Sequence, residues 1–320
     1  MSDPTTLDML LELARRARVP EALTEGGRTR RFGATHDVVV QRGQLWRASW
    51  DETSLLVLVL RVEQTTVAAA PVTVDPPAED EHCAVVGITA TALEVEATVW
   101  MGLRSELPMR VLDTVVDQWA DRIVDDLNSD SVELSADDQS LVRRGLPITS
   151  EYDTAAAIRA EIADDLDALR SSPALPASTG EDKGRPLAAV LGESLDLAAL
   201  AAVLKPFGLN QGETMQIVRG KKGLTPDQAR AVADSTGIAV EAVLNAVQPL
   251  PQALVAEAEH PRWRESWRAW AEQEGVDEAT ARIRVSYGAY ALAARQTGSN
   301  APDWAGRLEQ VLLRRHRGDR

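Results

Sequence analysis

The chain of 320 residues has a single cysteine, two phenylalanines and three tyrosines, and no apolar run that approaches the roughly 20 residues needed to cross a bilayer. With Cys83 alone an intrachain disulfide is impossible, and a reducing compartment is the natural expectation. The opening MSDPTTLDML has no basic region ahead of its apolar residues, so no secretory leader is read there. These absences imply a cytoplasmic protein without a membrane partner. The four histidines, His36, His82, His260 and His316, are scattered, and none has metal-ligand spacing with another His, a Cys or a carboxylate pair. His82 and Cys83 are adjacent in the acidic stretch AEDEHC, which reads as a solvated loop. Gly220-Lys221-Lys222-Gly223 lacks the spacing of a phosphate-binding loop. No cofactor, no metal and no catalytic constellation are therefore expected.

Positive charge is also short: 34 Lys and Arg face 49 Asp and Glu, a net of −15. Phosphate backbones attract positive charge, so the average argues against nucleic acid. The excess is unevenly placed. Residues 1–182 hold 16 basic against 33 acidic residues, whereas 183–320 hold 18 against 16. The two halves are expected to meet different partners.

The pattern along the chain implies an α+β multidomain fold. A first helix is predicted over 5–18, ended by Pro20 and Gly26-Gly27, within an N-terminal helix and arm of residues 1–33. Short β-rich runs between 34 and 111 predict a small, strongly curved barrel, assigned to 34–130 with flanking helices. The run Leu55 to Leu60 does not alternate, so its strand should be covered on both faces. Val111, Val115, Trp119, Ile123 and Leu127 recur every four residues and predict a helix over 111–128. A helical extension covers 131–170, and 171–184, rich in Ser, Pro, Ala and Gly, reads as a linker. The C-terminal half is all-α: short helices over 185–250, then a helical tail over 251–320. In that tail Trp263, Trp267 and Trp270 share one helical face and read as core or subunit seam, with Tyr287 and Tyr290 in the same packing and Arg262, Arg264 and Arg268 as solvated edges.

Leu209 to Val247 is the informative stretch. A polar opening, Asn210-Gln211, begins a short helix in which Met215 and Val218 are expected inside and Gln211, Thr214 and Gln216 outside; Arg219-Gly220 ends it. Lys221-Lys222-Gly223 follows, then Leu224-Thr225-Pro226, with Thr225 as N-cap and Pro226 at the first helical position. This resembles the lambda-repressor-like (XRE-type) helix-turn-helix family over residues 186–247. The resemblance implies a reader of double-stranded DNA that acts as a homodimer, with Asn210, Gln211, Thr214 and Gln216 toward base edges and Arg219, Lys221 and Lys222 on phosphates. Two departures stand out: Lys205-Pro206-Phe207-Gly208 interrupts the turn, and Asp196 sits near the start of the second helix.

In the N-terminal half, Arg42-Gly43-Gln44-Leu45-Trp46, then LLVLVLRV, then AAAPVTVD and Pro108-Met109-Arg110-Val111-Leu112 resemble the PemK/MazF-type toxin barrel over 42–128. That family cuts RNA with an arginine after its first strand and a threonine after its third. Thr73 matches the threonine, but the loop here is Asp51-Glu52-Thr53-Ser54 and holds no arginine, so a degenerate barrel serving a protein partner or dimerisation is expected. Together the two resemblances imply a transcriptional regulator, possible at a toxin-antitoxin or defence locus. The alternatives are a toxin-type endoribonuclease and a non-catalytic assembly protein.

Overall fold

The computed structural model describes residues 20–34, 37–74, 78–128, 141–148, 154–177, 187–192, 196–220, 222–246, 249–293 and 302–316. The helix expected over 5–18 lies outside them. The chain divides into two compact units, Met1–Ser171 and Ser172–Arg320. The first is α+β and the second is helical.

The first unit begins with α1 (Glu25–Phe32), which runs through Gly26-Gly27 instead of stopping there, because Thr24 caps it by accepting the Gly27 amide. Eight strands follow: β1 (Gln44–Trp50), β2 (Thr53–Val62), β3 (Thr66–Thr73), β4 (Ala84–Val86), β5 (Ala97–Val99), β6 (Ser105–Pro108), β7 (Leu112–Gln118) and β8 (Val142–Arg144). They form one antiparallel sheet in the order β7-β1-β2-β3-β5-β4-β8, with β6 also on β3. The expected barrel is corrected by this order. Among the described residues no ladder joins β7 to β8, so the sheet is open.

Helices cover both faces of that sheet, which is why closure is not needed to bury it. On one face Trp46, Val57, Val59, Val67 and Ala69 pack with Ile162, Leu166 and Leu169 of α3 (Ala155–Arg170). On the other, Leu45, Leu58, Leu60, Ala70 and Val72 pack with Ile123, Val124 and Leu127 of α2 (Asp121–Asn128). The non-alternating run of β2 is thus buried on alternate sides, Val57 and Val59 one way and Leu58 and Leu60 the other. The helix predicted over 111–128 begins only at Asp121. Residues 112–118 are β7, paired with β1 through two register shifts. Spacings of four fit either period when the segment is short, and the β-branched Val115-Val116 pair suits an edge strand beside β1.

The second unit contains α4 (Leu187–Leu191), α5 (Leu197–Leu204), α6 (Gln211–Val218), α7 (Pro226–Thr236), α8 (Val240–Asn245), α9 (Gln252–Ala258), α10 (Arg264–Glu274), α11 (Glu278–Ala293) and α12 (Trp304–His316). The sequence reading missed α9. Residues 172–177 of the segment read as a linker belong to this unit's structure: Leu175 is buried, Ala177 bridges Leu250, and the Leu250 amide donates to the Pro176 carbonyl at 2.8 Å. The tryptophan stripe is core, with Trp263, Trp267 and Trp270 all buried and the first two rings stacked at 5.8 Å. The adjacent arginines are not all solvated edges. Arg264 is buried and ion-paired with Glu278, because α11 lies directly against this face.

Candidate nucleic-acid interface

The turn before α6 determines which residues it presents. α5 is capped by Asp196, whose carboxylate accepts the Ala198 and Ala199 amides, so the donors that open this helix are already used. Pro206 lies in a 3-10 turn, Lys205–Phe207, and Gly208 closes it at φ +73, a left-handed conformation that glycine adopts without strain. Asn210 then caps α6 in a reciprocal box: its side chain accepts the Glu213 amide and the Glu213 carboxylate accepts the Asn210 amide, each at 3.0 Å.

On α6 the buried residues are Thr214, Ile217 and Val218, one helical stripe at i, i+3 and i+4. The opposite face is Gln211, Gly212, Met215, Gln216 and Arg219, exposed except for the half-buried Met215. Two expectations are corrected here. Thr214 points inward, 1% exposed, with its hydroxyl donating to the Asn210 carbonyl at 3.1 Å. Met215 lies on the outer side. The signal that could have shown this was Ile217: with Val218 it defines an apolar stripe that passes through Thr214 and excludes Met215.

The remaining predicted residues divide three ways. Gln211, Gln216 and Arg219 are brought onto one exposed face. Asn210 is exposed, but its side-chain oxygen is used by the cap. Lys222 is tied to Glu213, its ammonium donating to the carboxylate at 2.6 Å, and that hydrogen bond and the Asn210 amide, helped by the Lys222 and Arg284 charges, hold the Glu213 carboxyl below its usual range. Its charge is thereby largely spent within the chain. Lys221 lies outside the described residues. Beyond Lys222, Thr225 caps α7 as expected, with Gln228 completing a second reciprocal box and Pro226 in the first turn.

Beside α6 lies a cleft of about 490 Å³, to which α11 contributes Ile283, Arg284 and Tyr287, and α12 contributes Val311. The cleft needs glycine at 223: a Cβ there would lie 2.4 Å from a Tyr287 ring carbon. Sequence reading placed Tyr287 in packing and gave Arg284 no role, since nothing in the spacing of α11 indicates that its side meets α6.

In the sheet unit, the Thr73 hydroxyl accepts the Trp100 indole N–H at 3.0 Å, and Asp51 and Glu52 form an exposed two-residue hairpin turn. The stretch containing His82 and Cys83 is only partly solvated: Cys83 is buried, and burial pushes its thiol up to about 12. Among the described residues no group of three His, Cys, Asp or Glu side chains could hold a metal ion, and no helix is long and apolar enough to cross a membrane.

Compared with known proteins, the chain matches no family model and no curated protein.

Proposed function

We propose that the helical unit is a DNA reader and that the chain is a transcriptional regulator acting as a homodimer in the cytoplasm. The observation that carries this reading is the outer face of α6, where Gln211, Gln216 and Arg219 stand exposed together. Amide side chains supply paired donors and acceptors for base edges, and the guanidinium supplies a phosphate or guanine contact. Gly212 at the middle of that face leaves the first turn of α6 without a side chain, which favours close approach to a groove wall. Thr214 and Lys222 leave the set of contacts, the first by burial and the second by its ion pair. Asn210 contributes through its amide nitrogen alone.

Charge assigns the two units different roles. Residues 1–171 hold 16 basic against 31 acidic residues, while 172–320 hold 18 of each. A sheet unit at −15 is repelled by a phosphate backbone, so it serves a protein partner or the dimer. Regulation of a toxin-antitoxin or defence locus is consistent with this division.

The test is a mobility-shift series with the full chain on the DNA upstream of its own gene, between 50 and 200 mM salt as an order-of-magnitude window. Binding should weaken steadily with salt. Arg219→Ala should reduce the logarithmic salt slope by about 1, and Gln216→Ala should relax sequence preference at roughly constant slope. Absence of salt-dependent binding at the low end overturns the reading.

A further inference from the structure

The cleft beside α6 combines features that its packing role does not require. Its floor is apolar and aromatic, formed by Trp270, Ile283 and Tyr287, all nearly buried. Three charged residues line it: Glu213, Lys222 and Arg284. Glu213 bonds Lys222 at 2.6 Å and also feels the charge of the half-buried Arg284, so two cations share one carboxylate. The lining therefore carries a net charge of +1 beside an aromatic floor. A guanidinium kept partly out of water with only a shared counter-ion favours a further anion, and Arg presents a planar fork that matches a carboxylate. The volume, about 490 Å³, lies in the range of small-molecule sites.

We propose that this cleft binds a small aromatic monocarboxylate, with the carboxylate on Arg284 and the ring system on Trp270 and Tyr287. Recognition needs one negative charge to balance the lining and a flat apolar body to meet the indole and phenol rings. A neutral isostere leaves the surplus positive charge of the lining unbalanced, and a cation is repelled by it. The proposal stands apart from the DNA reading: the ligand would bind whether or not α6 meets DNA.

The experiment is isothermal titration of the full chain with 1-naphthoate, 1-naphthamide and 1-naphthylmethylammonium. One naphthoate should bind per chain, with the amide weaker by roughly ten- to a hundredfold and the cation weaker still. Arg284→Met should reduce naphthoate affinity to that of the amide while leaving amide affinity unchanged. Ala291→Trp, at an exposed position on the cleft's rim, should abolish binding of both without changing the circular dichroism spectrum. Naphthoate that fails to saturate at millimolar concentration, that binds no better than the amide, or that keeps full affinity in both variants overturns the proposal.

Discussion

A carboxylate as buried as Asp80, 3% exposed, keeps its charge only where partners replace the water it has lost. Burial alone would push its carboxyl up. The Cys83 thiol, the His82 amide and the Arg159 guanidinium outweigh that effect and hold it below the usual range. Arg159 comes from α3 and Asp80 from the chain before β4, so one ion pair ties the covering helix to the sheet. A lowered folded-state value contributes stability that is complete above the unfolded carboxylate value of about 3.9 and is lost as pH falls toward the folded value. Without Arg159 its share of that lowering is lost, the folded value rises, and less of this carboxyl's contribution remains to be lost on acidification. Urea midpoints measured from about pH 6 down to pH 3 should therefore start lower in Arg159→Met than in the parent and fall less steeply, so that the gap narrows toward pH 3, and Arg159→Met/Asp80→Asn should recover part of the loss at pH 6. Superimposable profiles for the parent and Arg159→Met would sink the assignment.

Helices and strands differed in how far local signals determined them. Thr225-Pro226 was legible as the start of α7, because capping is decided by three or four neighbouring residues, and the Thr225–Gln228 box completes it. Thr225→Ala should cost about 1 kcal/mol by chemical denaturation, and Thr225→Ala/Gln228→Ala less than the sum of the two single changes. Strict additivity would argue against a reciprocal box. By contrast β7 read as helix, since its identity depends on β1 lying alongside, a pairing between residues some 70 positions apart. The phase of α6 fell between these cases. Its limits were visible, but its inner face was assigned one position off, because a threonine can bury its hydroxyl against its own helix's carbonyl and so act as an inward residue.

At the scale of the whole chain, each unit has its own core, and the second holds residues 172–177 through a buried pair. Glu259 and Arg282, each 1% exposed, face one another at 3.7 Å; the Leu175 amide donates to the Glu259 carboxylate, and the Arg282 guanidinium donates to the Pro173 carbonyl. Removing one partner leaves a buried charge uncompensated, at a cost of about 3–5 kcal/mol. Calorimetry should resolve two transitions, one per unit, with Arg282→Met lowering only one of them and Arg282→Met/Glu259→Leu restoring part of the loss. A uniform shift of all the heat absorbed would show that the units do not unfold separately.

Composition and local pattern by themselves determined that one half is β-rich and acidic and the other helical and nearly neutral, that the β2 run is buried on both sides, and that Thr225 opens a helix. These features depend on charge counts, hydrophobic period and capping chemistry, all of which act over a few residues. Tertiary structure decided that the sheet stays open between two helical covers, that Thr214 faces inward, that Lys222 is neutralised by Glu213, and that Arg284 meets α6 across a cleft. Each of these depends on groups distant in sequence becoming neighbours, and no local period or spacing encodes which neighbours those will be.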